Sequence, residues 1–365
     1  MSLQVRSTGR LSWALGLLVA LGATACGGDV SEAPSTSDAG GDSAGSDLSA
    51  SLSGAGASFP APLYQRWFSE YNKENSGVQV SYQSVGSGAG VEQYLSGTVD
   101  FGASDAPIKD EERAKFTEQY PEGPVQVPMT SGSVVFAFNL PGVEELKLSR
   151  EDYCGIVTGK IKTWDDPAIT KANPDATLPS QPISWVHRSD GSGTTFLFTT
   201  HIEAACSDWP AGSGKSVEWP VGTGAKGNEG ITAQIQQTEG AIGYVEYAYA
   251  KENGLPAAAI ENKSGNIIAP TPESAALVFQ GETVPDDFAL VVPDPENPDA
   301  YPIAGLTWLL LYPKYEDANK AKALKAVMDW SLTDGQKFAE ELGYIPLEAD
   351  LIERVKERIS YLGEG

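Results

Sequence analysis

The stretch SLSGAGASFPAPLYQRWFSEYNKE, residues 51–74, carries the pattern from which the fold is read. Ser51–Ala55 has the length of a short strand. A run of Gly, Ala and Ser then interrupts any periodicity. From Pro60 onward Leu63, Trp67, Phe68 and Tyr71 recur three or four residues apart, which places them on one stripe of a helix over Pro60–Glu74. An early proline suits a first helical turn, where no N–H is needed. Strand, small-residue turn and amphipathic helix in that order form the unit of an α/β fold.

The same unit repeats outward from there. Strands are expected at Val78–Gln83, Val99–Ala103, Val134–Asn139, Ile183–His187, Ala241–Tyr244 and Leu306–Tyr312. Helices are expected at Val91–Leu95, Thr194–Ala205, Ile231–Gln237, Ala318–Ser331 and Gly335–Leu342, and residues 284–302, rich in Pro and Asp, read as loop. Val134–Asn139 is the expected crossing point into a second lobe.

Three turns stand between a strand and a helix: Gly54-Ala-Gly-Ala-Ser58-Phe59-Pro60, Val85-Gly-Ser87-Gly-Ala-Gly90 and Arg188-Ser-Asp190-Gly-Ser192-Gly193-Thr194. A helix N-terminus offers unpaired N–H groups and a partial positive charge, so it suits an anion. Glycine lets the backbone approach closely, and hydroxyls add donors. One such turn is explained by an ordinary N-cap serine; three in one chain, one with an arginine, point to an oxyanion site. Arg188 supplies a forked, charge-assisted donor, and Asp190 is placed to hold it. Asp105 follows the strand Val99–Ala103, at the strand end where α/β folds place ligands. Phosphate near neutral pH carries a proton that an ionised Asp105 can accept. Sulfate and molybdate carry none, so Asp105 discriminates against them.

The runs GAGASFPAPLYQRW, GSGAGVEQYLSGTVDFGASDAP, GKIKTWDDPAI, RSDGSGTTFLFT and GNEGITAQIQQTEGAIGYVEYAYA resemble the phosphate-binding receptor of the Pst-type phosphate ABC transporter, over roughly residues 52–360. The resemblance implies two α/β lobes joined by hinge strands, residues 51–137 with 303–365 and residues 138–302, and a ligand cleft between them. It implies that Ser58, Phe59, Ser87, Asp105, Arg188, Ser192, Gly193 and Thr194 hold inorganic phosphate, with Asp190 supporting Arg188. It further implies a monomeric receptor without enzymatic activity that delivers phosphate to a membrane ABC permease. The family often has threonine where Ser58 stands, which keeps the hydroxyl. Residues 284–302 and the two later cysteines match nothing in the resemblance.

Composition narrows the alternatives. With 25 Lys+Arg against 49 Asp+Glu, the net charge of −24 repels nucleic acid and anionic lipid. Arg6 and Arg10 followed by the apolar run Leu11–Ala25 read as an export signal. Ala23-Thr24-Ala25-Cys26 reads as a lipobox that would anchor the chain in the bacterial cell envelope through Cys26. Residues 27–50, mostly Gly, Ser, Ala and Asp, read as a tether. Cys154 and Cys206 either pair as a disulfide or remain two thiols. The only histidines, His187 and His201, do not cluster with them, so neither a metal nor another cofactor is expected. Gly222-Thr-Gly224-Ala-Lys-Gly227 fits the dinucleotide pattern G-x-G-x-x-G, but no convincing strand precedes it. A phosphatase would need an activated nucleophile or a metal cluster, and the sequence offers neither.

Overall fold

The computed structural model describes residues 48–363. The expected signal sequence, Cys26 anchor and all but the end of the tether lie outside those residues. The tether's last residue, Ala50, already belongs to a strand.

The strands are β1 (Ala50–Gly56), β2 (Val78–Ser84), β3 (Phe101–Ser104), β4 (Val125–Asn139), β5 (Lys147–Leu148), β6 (Ser184–Arg188), β7 (Thr223–Ala225), β8 (Ala241–Glu246), β9 (Ala259–Glu261), β10 (Ile267–Ile268) and β11 (Ala304–Leu311). The helices are α1 (Ala61–Glu74), α2 (Ser87–Leu95), α3 (Asp110–Thr117), α4 (Arg150–Val157), α5 (Pro167–Ala172), α6 (Gly193–Ala205), α7 (Gly227–Gln237), α8 (Tyr247–Glu252), α9 (Pro272–Ala276), α10 (Ala318–Ser331), α11 (Gln336–Leu342) and α12 (Ala349–Arg358). Eight strands form a continuous mixed sheet in the order β2-β1-β3-β11-β4-β8-β6-β7, and β10, β9 and β5 form a small separate one.

The long strand β4 joins the two ends of this sheet. Val125–Ser133 pairs antiparallel with β11, and Val134–Asn139 pairs antiparallel with β8. Partner exchange therefore occurs between Ser133 and Val134. On one side of it β1, β2 and β3 run parallel to each other; on the other, β6 runs parallel to β7 and β8. Parallel strands need crossover helices, which is why α1 and α2 sit between strands on the first side and α6 and α7 on the second.

The stripe expected on α1, Leu63, Trp67, Phe68 and Tyr71, is buried, and Tyr64 packs inward beside it. The indole N–H of Trp67 donates to the Gly335 carbonyl at 2.7 Å, tying α1 to the C-terminal helices. Burying an indole is costly unless its N–H finds such a partner.

Several boundaries differ from the sequence reading. Helix α2 begins at Ser87 instead of Val91, because Ser-Gly-Ala-Gly has no apolar spacing to signal a helix. Strand β4 begins nine residues before Val134, running through Pro128 and Gly132, which read as breakers; a bulge opposite Thr307–Trp308 accommodates the proline. Strand β3 starts at Phe101, and α7 starts at Gly227. Residues 284–302 are irregular, as expected, but firmly held. Phe288 is buried at a φ of 61°, and its carbonyl accepts from the Trp308 indole at 2.9 Å. Further along, Asp294 pairs with Arg150 in a two-pronged contact at 2.9 and 3.0 Å. Cys154 of α4 and Cys206 at the end of α6 form a disulfide, which decides the alternative the sequence left open.

Candidate functional site

The N-termini of α1, α2 and α6 converge on one buried place, and every residue singled out in the three turns is found there. Ser58 precedes α1, and its hydroxyl oxygen accepts from both the backbone N–H and the side-chain amide of Asn228, at 3.1 and 2.9 Å. Phe59 is wholly buried, and its carbonyl accepts from the Tyr344 hydroxyl at 2.7 Å. Ser87 is the first residue of α2; its oxygen accepts from the Gly193 N–H at 3.0 Å and from the Asp105 N–H at 3.3 Å.

Arg188 ends β6 and is 3% exposed. Its Nε and Nη2 donate to the two oxygens of Asp190 at 2.8 and 2.6 Å, the forked arrangement expected of this pair. Asp190 also accepts from the Gly227 N–H at 3.0 Å. Burial pushes its carboxyl upward, but the hydrogen bonds and charge of Arg188 outweigh burial and hold it below the usual aspartate range. Ser192 caps α6 by accepting from the Thr195 N–H at 3.0 Å. Thr194, in the first turn, receives the Arg188 Nη1 at 3.4 Å.

Gly193 must be glycine. A Cβ at this position would lie 2.5 Å from the Cβ of Asp105 and 2.6 Å from the Ser87 oxygen. Nearby, the Gly88 N–H donates to the Gly191 carbonyl at 2.8 Å. The first turn of α2 and the start of α6 are thus in backbone contact, possible only because small residues face each other.

Asp105 follows β3 and is 1% exposed. One oxygen accepts from the Thr307 hydroxyl at 2.8 Å; the other, Oδ2, is buried with no partner. Burial drives the carboxyl up to about 7, against the opposing pull of the Thr307 hydrogen bond, the Arg188 charge and the Ser87 hydrogen bond. The site therefore combines hydroxyl and N–H donors, one guanidinium and one unpaired carboxyl oxygen. That set can wrap a small tetrahedral anion and receive a single proton from it.

Sequence reasoning missed the residues that hold this set in place. Asn228 is one. Thr307 is another, lying within an apolar strand at the bulge in the β4–β11 pairing. Tyr249 donates to the Ser58 carbonyl at 2.6 Å, and Tyr244 accepts from the Arg188 N–H at 3.0 Å. Glu246 caps α8 through Oε2 while its buried Oε1 has no partner, and burial pushes its carboxyl well above the usual range. His187 is packed: its ring stacks on Trp219 with centroids 4.9 Å apart. His201 is buried away from the site, accepting from the Tyr153 hydroxyl and donating to the Pro293 carbonyl. Among the described residues no His, Cys, Asp and Glu cluster is arranged to hold a metal, and no helix is long and apolar enough to cross a membrane.

Comparison with known proteins places this geometry. Residues 34–335 match the family model described as a PBP superfamily domain. The phosphate-binding protein PstS of Pasteurella multocida is 42% identical over 312 residues, covering 84% of this chain and 88% of that protein. The protein of the same name from Haemophilus influenzae is 40% identical, covering 84% and 92%. Among solved structures, a high-affinity periplasmic phosphate-binding protein with bound phosphate superposes with a TM-score of 0.72 at 22% identity, covering 84% of this chain and 93% of that one. At that identity the likeness speaks for the fold.

Proposed function

The chain belongs to the PBP superfamily and groups there with the PstS phosphate-binding proteins, and from that premise we propose that it captures inorganic phosphate in the cell envelope and delivers it to an ABC permease. The observation that carries the reading is the Oδ2 atom of Asp105, a buried carboxyl oxygen without a partner beside the hydroxyls of Ser58 and Ser87 and the Arg188 guanidinium. A hydrogen phosphate brings many acceptor lone pairs and at least one proton. The Ser58, Ser87, Ser192 and Thr194 hydroxyls, the Phe59 backbone N–H and Arg188 supply the donors, and Asp105 takes the proton. The Gly193 N–H, expected among the donors, is spent on the Ser87 oxygen and serves the cradle by holding that hydroxyl's hydrogen toward the ligand. At a pH above about 7, where Asp105 is ionised, sulfate would face it with no proton to offer, leaving two lone pairs in contact in a dry site.

Residues 51–137 with 303–365 form one lobe in this reading and 138–302 the other. The exchange of partners on β4 at Ser133–Val134 and the cross-cleft bonds of Ser58 and Ser87 support that division. Anion binding from both sides closes the hinge, and the closed form is the one that a permease would engage. A Cys26 lipid anchor and the stretch 27–50 would tether the receptor to a membrane. The names of the relatives describe binding proteins, which supports a receptor over a phosphatase.

Calorimetry of the purified protein with phosphate, arsenate and sulfate, beside Asp105→Asn, tests the reading. Tight binding of phosphate and arsenate without sulfate is expected, with Asp105→Asn narrowing the gap at least tenfold. Sulfate binding as tight as phosphate would make the site a general oxyanion receptor, and no binding of any of the three would overturn the assignment.

A further inference from the structure

Asn228 is wholly buried in the first turn of α7 and makes more contacts with the cradle than any sequence signal suggested. Its side-chain Oδ1 accepts from the Glu246 backbone N–H at 2.9 Å. A backbone N–H can only donate, so this bond fixes which end of the amide is oxygen. The two Nδ2 hydrogens are then committed: one goes to Ser58 Oγ at 2.9 Å and the other to Thr194 Oγ1 at 3.1 Å. The Asn228 backbone N–H makes a second bond to Ser58 Oγ at 3.1 Å.

A hydroxyl has two lone pairs and one hydrogen. Ser58 Oγ spends both lone pairs on Asn228. Thr194 Oγ1 spends one on Asn228 and receives the longer contact from Arg188 on the other. Each hydroxyl is left with its hydrogen alone, and among the described residues no acceptor takes either one. Ser58 stands on the β1 side of the site and Thr194 on the β6 side, so a single amide settles the polarity of both. We propose that Asn228 is a positioning residue for phosphate recognition: by saturating the oxygens of Ser58 and Thr194 it compels both hydroxyls to donate to the anion. This rests on the phosphate-receptor reading and extends it to a residue that need not touch the ligand. Its consequence for specificity is that these two hydroxyls cannot receive the ligand's proton, so that proton is directed to Asp105.

The test is a double-mutant cycle on phosphate affinity by calorimetry, in the full chain. Asn228→Ala is compared in the wild-type background and in the Ser58→Ala/Thr194→Val background. In the wild type the substitution is expected to weaken phosphate about 10- to 100-fold, from two hydroxyls no longer held toward a charged ligand. In the background without those hydroxyls the further loss should fall to about threefold or less. A purely structural role for Asn228 would give equal losses in both backgrounds, and that result would overturn the proposal.

Asn228→Asp provides a second, nearly isosteric arm. It keeps the acceptor for Glu246 but turns the donor toward Ser58 and Thr194 into an acceptor that pulls their hydrogens away from the ligand. Phosphate affinity should drop at least 100-fold at pH 8 and recover by tenfold or more toward pH 5, beyond any change in the wild type, as the new carboxyl regains a hydrogen to donate. A loss with the same pH profile as the wild type would overturn the proposal. A wild-type protein that binds no phosphate would overturn both this proposal and the receptor reading, whereas tight wild-type binding with additive losses would overturn this proposal alone.

Discussion

The two walls of the cleft carry similar hydroxyls and helix ends but opposite electrostatic habits. On the β6 side the guanidinium of Arg188 arrives already neutralised by the two-pronged contact with Asp190. On the β3 side Asp105 stands without a cationic partner, and burial raises its carboxyl to about 7. Summed over both walls, these three side chains bring no net positive charge to a ligand that is itself anionic. Attraction must then come from fixed dipoles, the N–H groups and hydroxyls at three helix ends, in a place from which water is excluded. In the receptor reading the two walls take different tasks: the β6 wall offers a rigid fork of donors, and the β3 wall asks for a proton.

The largest test of this picture is Gly193→Ala. The new Cβ would press on Asp105 and Ser87, forcing the walls apart. Phosphate affinity measured by calorimetry should fall by about 100-fold or more, since a small displacement of several donors is felt by all of them. Thermal melting of the ligand-free protein should change little, because opening relieves the clash; unchanged affinity would mean that the walls need not touch.

Next in size is Arg188→Lys, which keeps the charge and loses the fork. If the rigid geometry held by Asp190 matters more than charge, phosphate binding should weaken by about 10- to 50-fold. An effect within twofold would show that a point charge suffices and that the contrast between the walls is smaller than their geometry suggests.

The last effect falls on stability. With a folded value of about 7 against an ordinary 3.8, Asp105 keeps a proton in the folded protein that the unfolded chain releases. Its contribution to stability is therefore present below about pH 4 and lost as pH rises toward 7. Urea unfolding of the phosphate-free protein at pH 5 and pH 8 should find Asp105→Asn gaining on the wild type at the higher pH. A pH-independent difference between the two would place the carboxyl in its ordinary range and erase the asymmetry between the walls.

How much of this was legible beforehand depends on whether the signal was local. Ser58, Ser87 and Arg188 to Thr194 announce themselves, because a small-residue turn between strand and helix is a short-range pattern. Thr307 does not, since a threonine in an apolar strand reads only as a β-branched residue; its bond to Asp105 exists because β11 pairs beside β3. Asn228 is hidden for the same reason, its partners lying in the turn before α1, on α6 and on β8. The rejected G-x-G-x-x-G run is instructive: Gly222 and Gly227 both have positive φ, at 105° and 71°. They frame the three-residue edge strand β7, too short and too small in its side chains to show any alternation. Those glycines turn the chain into α7 and so deliver Asn228, a task that the dinucleotide pattern does not describe.

The route of β4 also constrains the order in which the molecule can be assembled. Its second half finds β8 within the following hundred or so residues, while its first half waits for β11, where Ser133 meets Ala304. A chain emerging N-terminus first can therefore complete the β6–β8 end before the β1–β3 end has its central partner, leaving one flank of β4 unpaired until β11 has been made. Contacts so distant in sequence slow folding and leave strand edges open to wrong partners in the interval. For a chain of this topology, the arrival of β11 between β3 and β4 is the step that closes the open flank.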